Sequence, residues 1–110
     1  MKIPNRQNAI VSPAKLTRYL LSNRHPIGSS KALFFRKPGF SLMSWGELAD
    51  ELLEMARTCD ALRIPSPFGM KYRIVAPLVG PSGRSAEVIS IWIVGHEDSI
   101  PRFVTAYPVE

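Results

Sequence analysis

The most regular hydrophobic pattern in the chain lies in residues 45–59. Five apolar residues recur there at helical spacing, with charged residues between them: Leu48, Leu52, Met55, Ala56 and Cys59. Ser44 and Glu47 before this stripe match a capping box, in which the hydroxyl and the carboxylate bond the first free N–H groups. The pattern predicts an amphipathic surface helix, with its apolar stripe in the core and Cys59 as a small buried hydrophobe.

Two shorter helices are predicted before this one. Ser12 followed by Pro13 is an N-cap and first-turn pair, so the first helix begins at Pro13 and turns inward Leu16, Tyr19 and Leu20. It ends within residues 23–26, because a residue that precedes proline avoids the helical region. A second short helix begins near residues 29–30 and ends before Pro38.

The pattern changes to strands after the proline-rich segment RIPSPFG, which is interpreted as a connector. Three runs rich in β-branched and aromatic residues follow: KYRIVAPLV (71–79), EVISIWIV (87–94) and RFVTAY (102–107). Turn-rich sequences separate them, which predicts an antiparallel meander with EVISIWIV as its central strand. The fold class is therefore α+β, a single domain over residues 1–110 with N-terminal helices on one face of a C-terminal antiparallel sheet. The opposite face is expected to carry function.

Charge is distributed unevenly along the chain. Its net value is +5, and residues 1–46 hold eight lysines and arginines and no carboxylate. A cationic segment of this kind is typical of proteins that bind nucleic acid or an acidic protein, although an ordinary solvated surface would look the same. One cysteine and two distant histidines predict neither a disulfide nor a metal site, and no cofactor is expected. No apolar run has the length of a signal peptide or a spanning helix, so a cytoplasmic protein without a membrane partner is expected.

The sequence has no phosphate-binding loop, dinucleotide fingerprint or nucleophile elbow. Cations, histidines and hydroxyls suffice for one reaction, the cleavage of RNA without a metal, in which the substrate's own 2′-hydroxyl is the nucleophile. That reaction needs a base near the 2′-oxygen, an acid near the 5′-oxygen and positive charge around the phosphorus. His25 is the candidate acid or base, and Lys31 at a predicted helix start is a candidate phosphate ligand. The alternative for His25 is a histidine that caps a loop before Pro26, and the alternative for Lys31 is a solvated lysine at an unfavourable position for the helix dipole.

The predicted strands carry further candidates. Alternation places Lys71 and Arg73 on one face of the first strand, but it points Arg102 away from Thr105 and Tyr107 unless the last strand bends. Arg102 alternatively forms an ion pair with Asp98 or Glu97 at the strand start. Tyr107 and Trp92 are expected to be core aromatics rather than stacking platforms for bases, and His96 is expected to be merely exposed.

The motifs resemble a family of small, largely uncharacterised bacterial domains over residues 3–108. The blocks that carry the resemblance are HPIGSSK with the following FF and GF, the GPSGR hairpin, and PRFVTAYP. Members of that family stand alone or end larger toxin-like polypeptides, which implies a toxin role. The layout of helices before an antiparallel sheet is similar to the microbial ribonucleases that include barnase, colicin ribonucleases and RelE-type toxins.

Carried over residue by residue, the family blocks single out a set that overlaps the chemical candidates: His25, Gly28, Lys31, Lys71, Arg102, Thr105 and Tyr107. Barnase-like enzymes use a glutamate base, for which the predicted sheet offers Glu87. RelE-type enzymes rely instead on cations and tyrosine, which suits this chain better.

Together these arguments predict a metal-independent endoribonuclease toxin that is neutralised by an acidic antitoxin. The candidate catalytic residues are His25, Lys31, Lys71, Arg102 and Tyr107. The candidate nucleic-acid-binding residues are Arg24, Arg36, Lys37, Arg73, Arg84 and Thr105. Two alternatives remain open: a non-catalytic module that binds nucleic acid or an acidic protein, and an accessory or immunity-type protein that pairs through the RFVTAYP strand edge.

Overall fold

The computed structural model describes residues 1–21, 35 and 38–109. The predicted second helix falls almost entirely in residues 22–34 and 36–37, outside the described residues, and so does the predicted end of the first helix. The remaining elements confirm the α+β class, with helices before an antiparallel sheet. Within the described residues, no helix is long and apolar enough to cross a membrane.

The first helix begins where the sequence predicts. A 3-10 turn at Arg6–Asn8 precedes α1 (Pro13–Lys15), which continues as a π-helical turn over Leu16–Leu20. Pro13 is the first helical residue, since its missing N–H is one that the first turn leaves without an intrahelical partner. Leu16 is fully buried, as predicted.

The amphipathic helix, α2 (Trp45–Thr58), is confirmed, but its predicted cap is wrong. Ser44 occupies the N-cap position without a side-chain capping bond. Its Oγ instead accepts the backbone N–H of Ser41 at 2.9 Å, inside the preceding 3-10 turn Leu42–Ser44. Because the Ser44 hydroxyl already bonds the nearby backbone, it does not cap the first turn of the helix. The apolar stripe is buried as predicted, and Cys59 is half-buried against the core.

The sheet has four antiparallel strands in the order β1-β2-β3-β4. Three strands were predicted, and they span β2 (Gly69–Val79), β3 (Ser85–Val94) and β4 (Arg102–Pro108). The interpretation of RIPSPFG as a connector is wrong, because β1 (Leu62–Ser66) forms there and pairs with β2 across a two-residue turn. A proline is tolerated because β1 is an edge strand of the described sheet, where an N–H that faces outward is not needed.

One face of the sheet packs against α2. Trp92 is fully buried on this face, as predicted, and its ring meets Phe103 edge-on at a centroid distance of 5.3 Å. The indole N–H donates to Ser90 Oγ at 3.0 Å, and that hydroxyl lies 3.3 Å from Met55 Sδ of α2. A series of buried polar contacts therefore links β3 to α2, and neither the serine hydroxyl nor the indole N–H is left without a partner.

Two of the N-terminal cations hold the end of α2. Lys2 Nζ donates to the Thr58 carbonyl at 2.6 Å, and Arg6 Nε donates to the Arg57 carbonyl at 3.1 Å. Cations are favourable at a helix C-terminus, where carbonyl groups lack intrahelical partners. Part of the positive charge in the first third of the chain is therefore structural.

The GPSGR hairpin docks on the segment that precedes α2. The Pro38 carbonyl accepts hydrogen bonds from the backbone N–H and the Oγ of Ser82, at 3.1 and 2.8 Å. A Cβ at Gly80 would collide with that same carbonyl. Gly39 has a φ of 104°, a conformation that favours glycine. These contacts give two blocks of the family pattern a role in packing.

Candidate functional site

The strand register defines the face of the sheet that α2 does not cover. Residues paired across strands share a face. One row across the sheet therefore contains Ile64, Lys71, Ile93 and Arg102, and the next row contains Leu62, Arg73, Ile91 and Thr105. A third row contains Val75, Ile89 and Tyr107. We call this surface the open face.

A β-bulge in β4 brings Arg102 onto the open face. Phe103 is paired with Trp92 and Thr105 with Ile91, so Val104 is an extra residue in β4. An extra residue reverses the alternation of side chains beyond it. The condition that the last strand bends is met, and Arg102 lies on the same face as Thr105 and Tyr107.

Three cations therefore gather on neighbouring strands. Lys71 and Arg102 lie in one row, separated by Ile93, so their backbones are about 10 Å apart. Arg73 lies about 7 Å further along β2, in the row of Thr105. The flexible stems of these side chains span such distances, so one phosphate group can be reached from Lys71 and Arg73 together.

The structure does not bring every predicted residue to this cluster. Arg84 lies in the β2–β3 hairpin, beyond Val79 and more than about 26 Å along the sheet from Lys71. Glu87 is on the open face, but it pairs with Pro77, about 20 Å along the sheet from Lys71. Five further candidates lie outside the described residues: Arg24, His25, Lys31, Arg36 and Lys37.

Arg102 is held by an ion pair, which confirms the alternative interpretation of this residue. Its Nη2 donates to Asp98 Oδ2 at 2.9 Å, while Asp98 Oδ1 accepts the backbone N–H of Ile100 at 3.1 Å. The bond from Arg102, with a smaller contribution from the Ile100 N–H, lowers the pKa of the Asp98 carboxyl. Part of the positive charge of Arg102 is thus neutralised locally, and Lys71 and Arg73 are the stronger candidates for binding an anion.

Apolar side chains surround the cations on the open face. Ile89, Ile91 and Ile93 of β3 are half-buried. Leu62 and Val75 have 58% and 48% of their surface exposed. Tyr107 is half-buried on this face rather than in the helix-side core where it was expected. A surface that mixes aliphatic side chains with three cations suits a large anionic partner better than a small ion.

A groove of about 560 Å³ opens beside the row of Lys71 and Arg102. Its two walls are the β1–β2 turn, with Pro67 and Phe68, and the loop after β3, with residues 95–98. Ile93 and Arg102 complete the lining. His96 is exposed, as predicted, but its Nε2 lies 3.2 Å from the Pro67 carbonyl oxygen. Sequence reasoning missed this groove, because the turn that carries Phe68 belongs to the strand hidden in the proline-rich segment.

The site thus lies on a four-stranded antiparallel sheet with a helix on the other face, an α+β architecture. The chain belongs to the family described as domain of unknown function DUF6883, whose model matches residues 2–110. This match confirms the predicted membership of a family of uncharacterised domains. A search of the curated proteins finds no match.

One solved structure similar to this chain is the contact-dependent growth inhibition toxin–immunity protein complex from Klebsiella pneumoniae 342. The chain matches one chain of that complex with a TM-score of 0.71 and 19% sequence identity. The match covers 96% of this chain and 97% of the other. The likeness shows that the two chains share a fold.

Proposed function

We propose that the chain is an RNA-cleaving toxin of a bacterial toxin system, which acts without a metal and uses the 2′-hydroxyl of its substrate as nucleophile. The observation that carries the proposal is the presence of Lys71, Arg73 and Arg102 together with Thr105 and Tyr107 on the open face. The likeness to a chain of a toxin–immunity complex supports the toxin system.

The chemistry assigns a role to each of these groups. Lys71 and Arg73 stabilise the negative charge that grows on the phosphate oxygens as the 2′-oxygen attacks. The hydroxyls of Thr105 and Tyr107 hold the ribose-phosphate strand beside them, and Arg102 contributes the positive charge that Asp98 leaves to it. His25 as acid or base and Lys31 as a phosphate ligand remain predictions, and the same assay tests them.

A partner that neutralises the toxin is part of the proposal. The open face offers aliphatic area around its cations, so a protein with carboxylates surrounded by apolar side chains would complement it. Such an acidic antitoxin would block RNA simply by covering the open face.

The direct experiment is RNA cleavage by the purified full chain in the presence of EDTA. Cleavage to 2′,3′-cyclic phosphate and 5′-hydroxyl ends is expected, and the Lys71→Ala/Arg73→Ala variant should lose at least about 100-fold in rate. Arg63→Ala is the matched control, because Arg63 pairs with Tyr72 and is directed to the other side of the sheet. His25→Ala and Lys31→Ala complete the set. RNA left intact by the wild type would overturn the proposal.

A second function is favoured by the exposed aliphatic residues on β1 and β2, which suit a protein partner. On this alternative the chain binds a nucleic acid or a partner protein without turnover, either through the open face or through the part of the β4 edge beyond Phe103, since Ile10 already pairs with the start of that strand. RNA affinity that falls with salt, by about 0.7 in log–log slope for each phosphate contact, would then occur without cleavage. Co-purification of a partner with neither RNA affinity nor cleavage would identify an accessory or immunity-type protein.

A further inference from the structure

The groove beside the row of Lys71 and Arg102 contains chemistry that the proposed function does not yet use. Phe68 lies on one wall with 75% of its surface exposed, an unusual position for a phenylalanine. His96 lies on the other wall. An exposed aromatic ring opposite an imidazole provides a face for stacking and a group for proton transfer within one groove.

The ring of His96 is oriented by its contact with the backbone. A carbonyl oxygen only accepts, so the 3.2 Å contact between Nε2 and the Pro67 oxygen places a proton on Nε2. Nδ1 is then the nitrogen able to take up a proton. The same contact joins the loop after β3 to the β1–β2 turn.

The charges of the groove indicate which part of a nucleotide it holds. Among the described residues, Glu97 and Asp98 line it together with Arg102, so carboxylates outnumber permanent cations there. A phosphate is therefore disfavoured inside the groove. Lys71 is paired with Ile93, a lining residue, and lies about 5 Å from it across the strands. A phosphate on Lys71 and Arg73 would place the attached nucleoside at the groove.

We propose that this groove is the nucleoside subsite of an RNA strand bound on the open face, with the base stacked on Phe68 and the ribose 2′-hydroxyl beside Nδ1 of His96. The inference rests on the proposed function and adds a catalytic residue to it. The 2′-hydroxyl proton passes to Nδ1 while the 2′-oxygen forms its bond to phosphorus and the bond from phosphorus to the 5′-oxygen breaks. The 5′-oxygen takes a proton from water, and the imidazolium returns its proton to solvent, so the products are a 2′,3′-cyclic phosphate and a 5′-hydroxyl.

Two measurements test the subsite, one of which needs no turnover. In the first, a cytidylyl-adenosine dinucleotide without the cytidine 2′-hydroxyl is titrated into the ¹⁵N-labelled full chain, since it can bind but cannot be cleaved. The largest amide chemical-shift changes are expected at Phe68 and at residues 95–98. Phe68→Leu keeps an apolar side chain but removes the stacking face, and should weaken binding at least about 5-fold. Changes confined to other surfaces would overturn the subsite.

The second measurement is single-turnover RNA cleavage by His96→Gln. The glutamine amide can still donate to the Pro67 carbonyl, but it is no base, so cleavage should fall at least about 100-fold while dinucleotide affinity changes little. Thermal unfolding of the variant controls for folding. Cleavage at the wild-type rate would overturn the inference while leaving the proposed function intact. Dinucleotide binding in the groove without any cleavage by the wild type would support the subsite and overturn the ribonuclease.

Discussion

The two faces of β3 differ sharply, although residues that point to one face alternate along the strand with residues that point to the other. Val88, Ser90 and Trp92 point toward α2 and are fully buried, whereas Ile89, Ile91 and Ile93 point the other way and are half-buried. The helix-side face uses its polar atoms within the core, as the chain from Trp92 through Ser90 to Met55 shows. The open face places cations among its aliphatic residues instead. One face is thus built for stability, and the other has the composition of a binding surface.

The largest expected effect comes from the helix-side face. Trp92→Ala removes a fully buried side chain and its contact with Phe103, and should lower the free energy of unfolding by about 3–5 kcal/mol. Urea denaturation measures this value. The neighbouring Ile91→Ala is the comparison, and a loss of the same size would contradict the difference between the two faces.

The docked hairpin at the far end of the sheet should give the next largest effect. Gly80→Ala forces a methyl group into the Pro38 carbonyl and should cost about 1–3 kcal/mol of unfolding free energy. Gly46→Ala is the matched control, because a methyl group there meets open space in the first turn of α2. It should stabilise the protein by about 0.5 kcal/mol. Changes of the same sign in both variants would show that the hairpin is not docked in this way.

A smaller effect is expected from the Ser90 hydroxyl, which links β3 to α2. Ser90→Ala leaves the buried indole N–H of Trp92 without its acceptor and should cost about 1 kcal/mol. Ser85→Ala, at an exposed position of the same strand, controls for the loss of a hydroxyl. Equal unfolding free energies for the two variants in thermal denaturation would show that the hydrogen bond from Trp92 to Ser90 does not stabilise this face.

The smallest effect concerns the ion pair at the start of β4. Because the folded-state pKa of Asp98 is lowered, its contribution to stability is present above the unfolded-state pKa and is lost as the pH falls through the folded-state value. NMR titration of the carboxyl in Arg102→Gln should show the pKa of Asp98 moving back up toward its ordinary value. An unchanged pKa would mean that Arg102 is not engaged by Asp98 and carries its full charge on the open face.

Much of the fold follows from local pattern. The apolar stripe of α2 and the three β-branched runs predicted a helix and a meander, because the spacing and type of those apolar residues indicate directly which element they form and which side is buried. β1 was missed because Pro65 and Pro67 resemble a connector, and only the pairing with β2 makes a strand of that segment. The hydroxyl of Ser44 was assigned to the wrong bond, since its choice of partner depends on the turn before the helix.

The candidate site was predictable only in part, for a geometric reason. Lys71 and Arg73 share a face by simple alternation, and the sequence predicted this. The position of Arg102 depends on an irregularity in β4 that alternation cannot anticipate. The groove of His96 and Phe68 joins two turns 29 residues apart at the contact of His96 with Pro67, and one of them flanks the missed strand.

The extra residue at Val104 changes which face of the sheet the neighbouring side chains point to, because side chains along a strand alternate with a period of two residues. Removing it would invert the orientation of everything before it in β4, so Arg102 would be expected to leave the cation cluster although no charged residue had changed. The number of residues between two side chains on a strand therefore determines whether they share a face, just as much as their identity determines what they do there. A deletion of one residue can then abolish a site as completely as the loss of its cations.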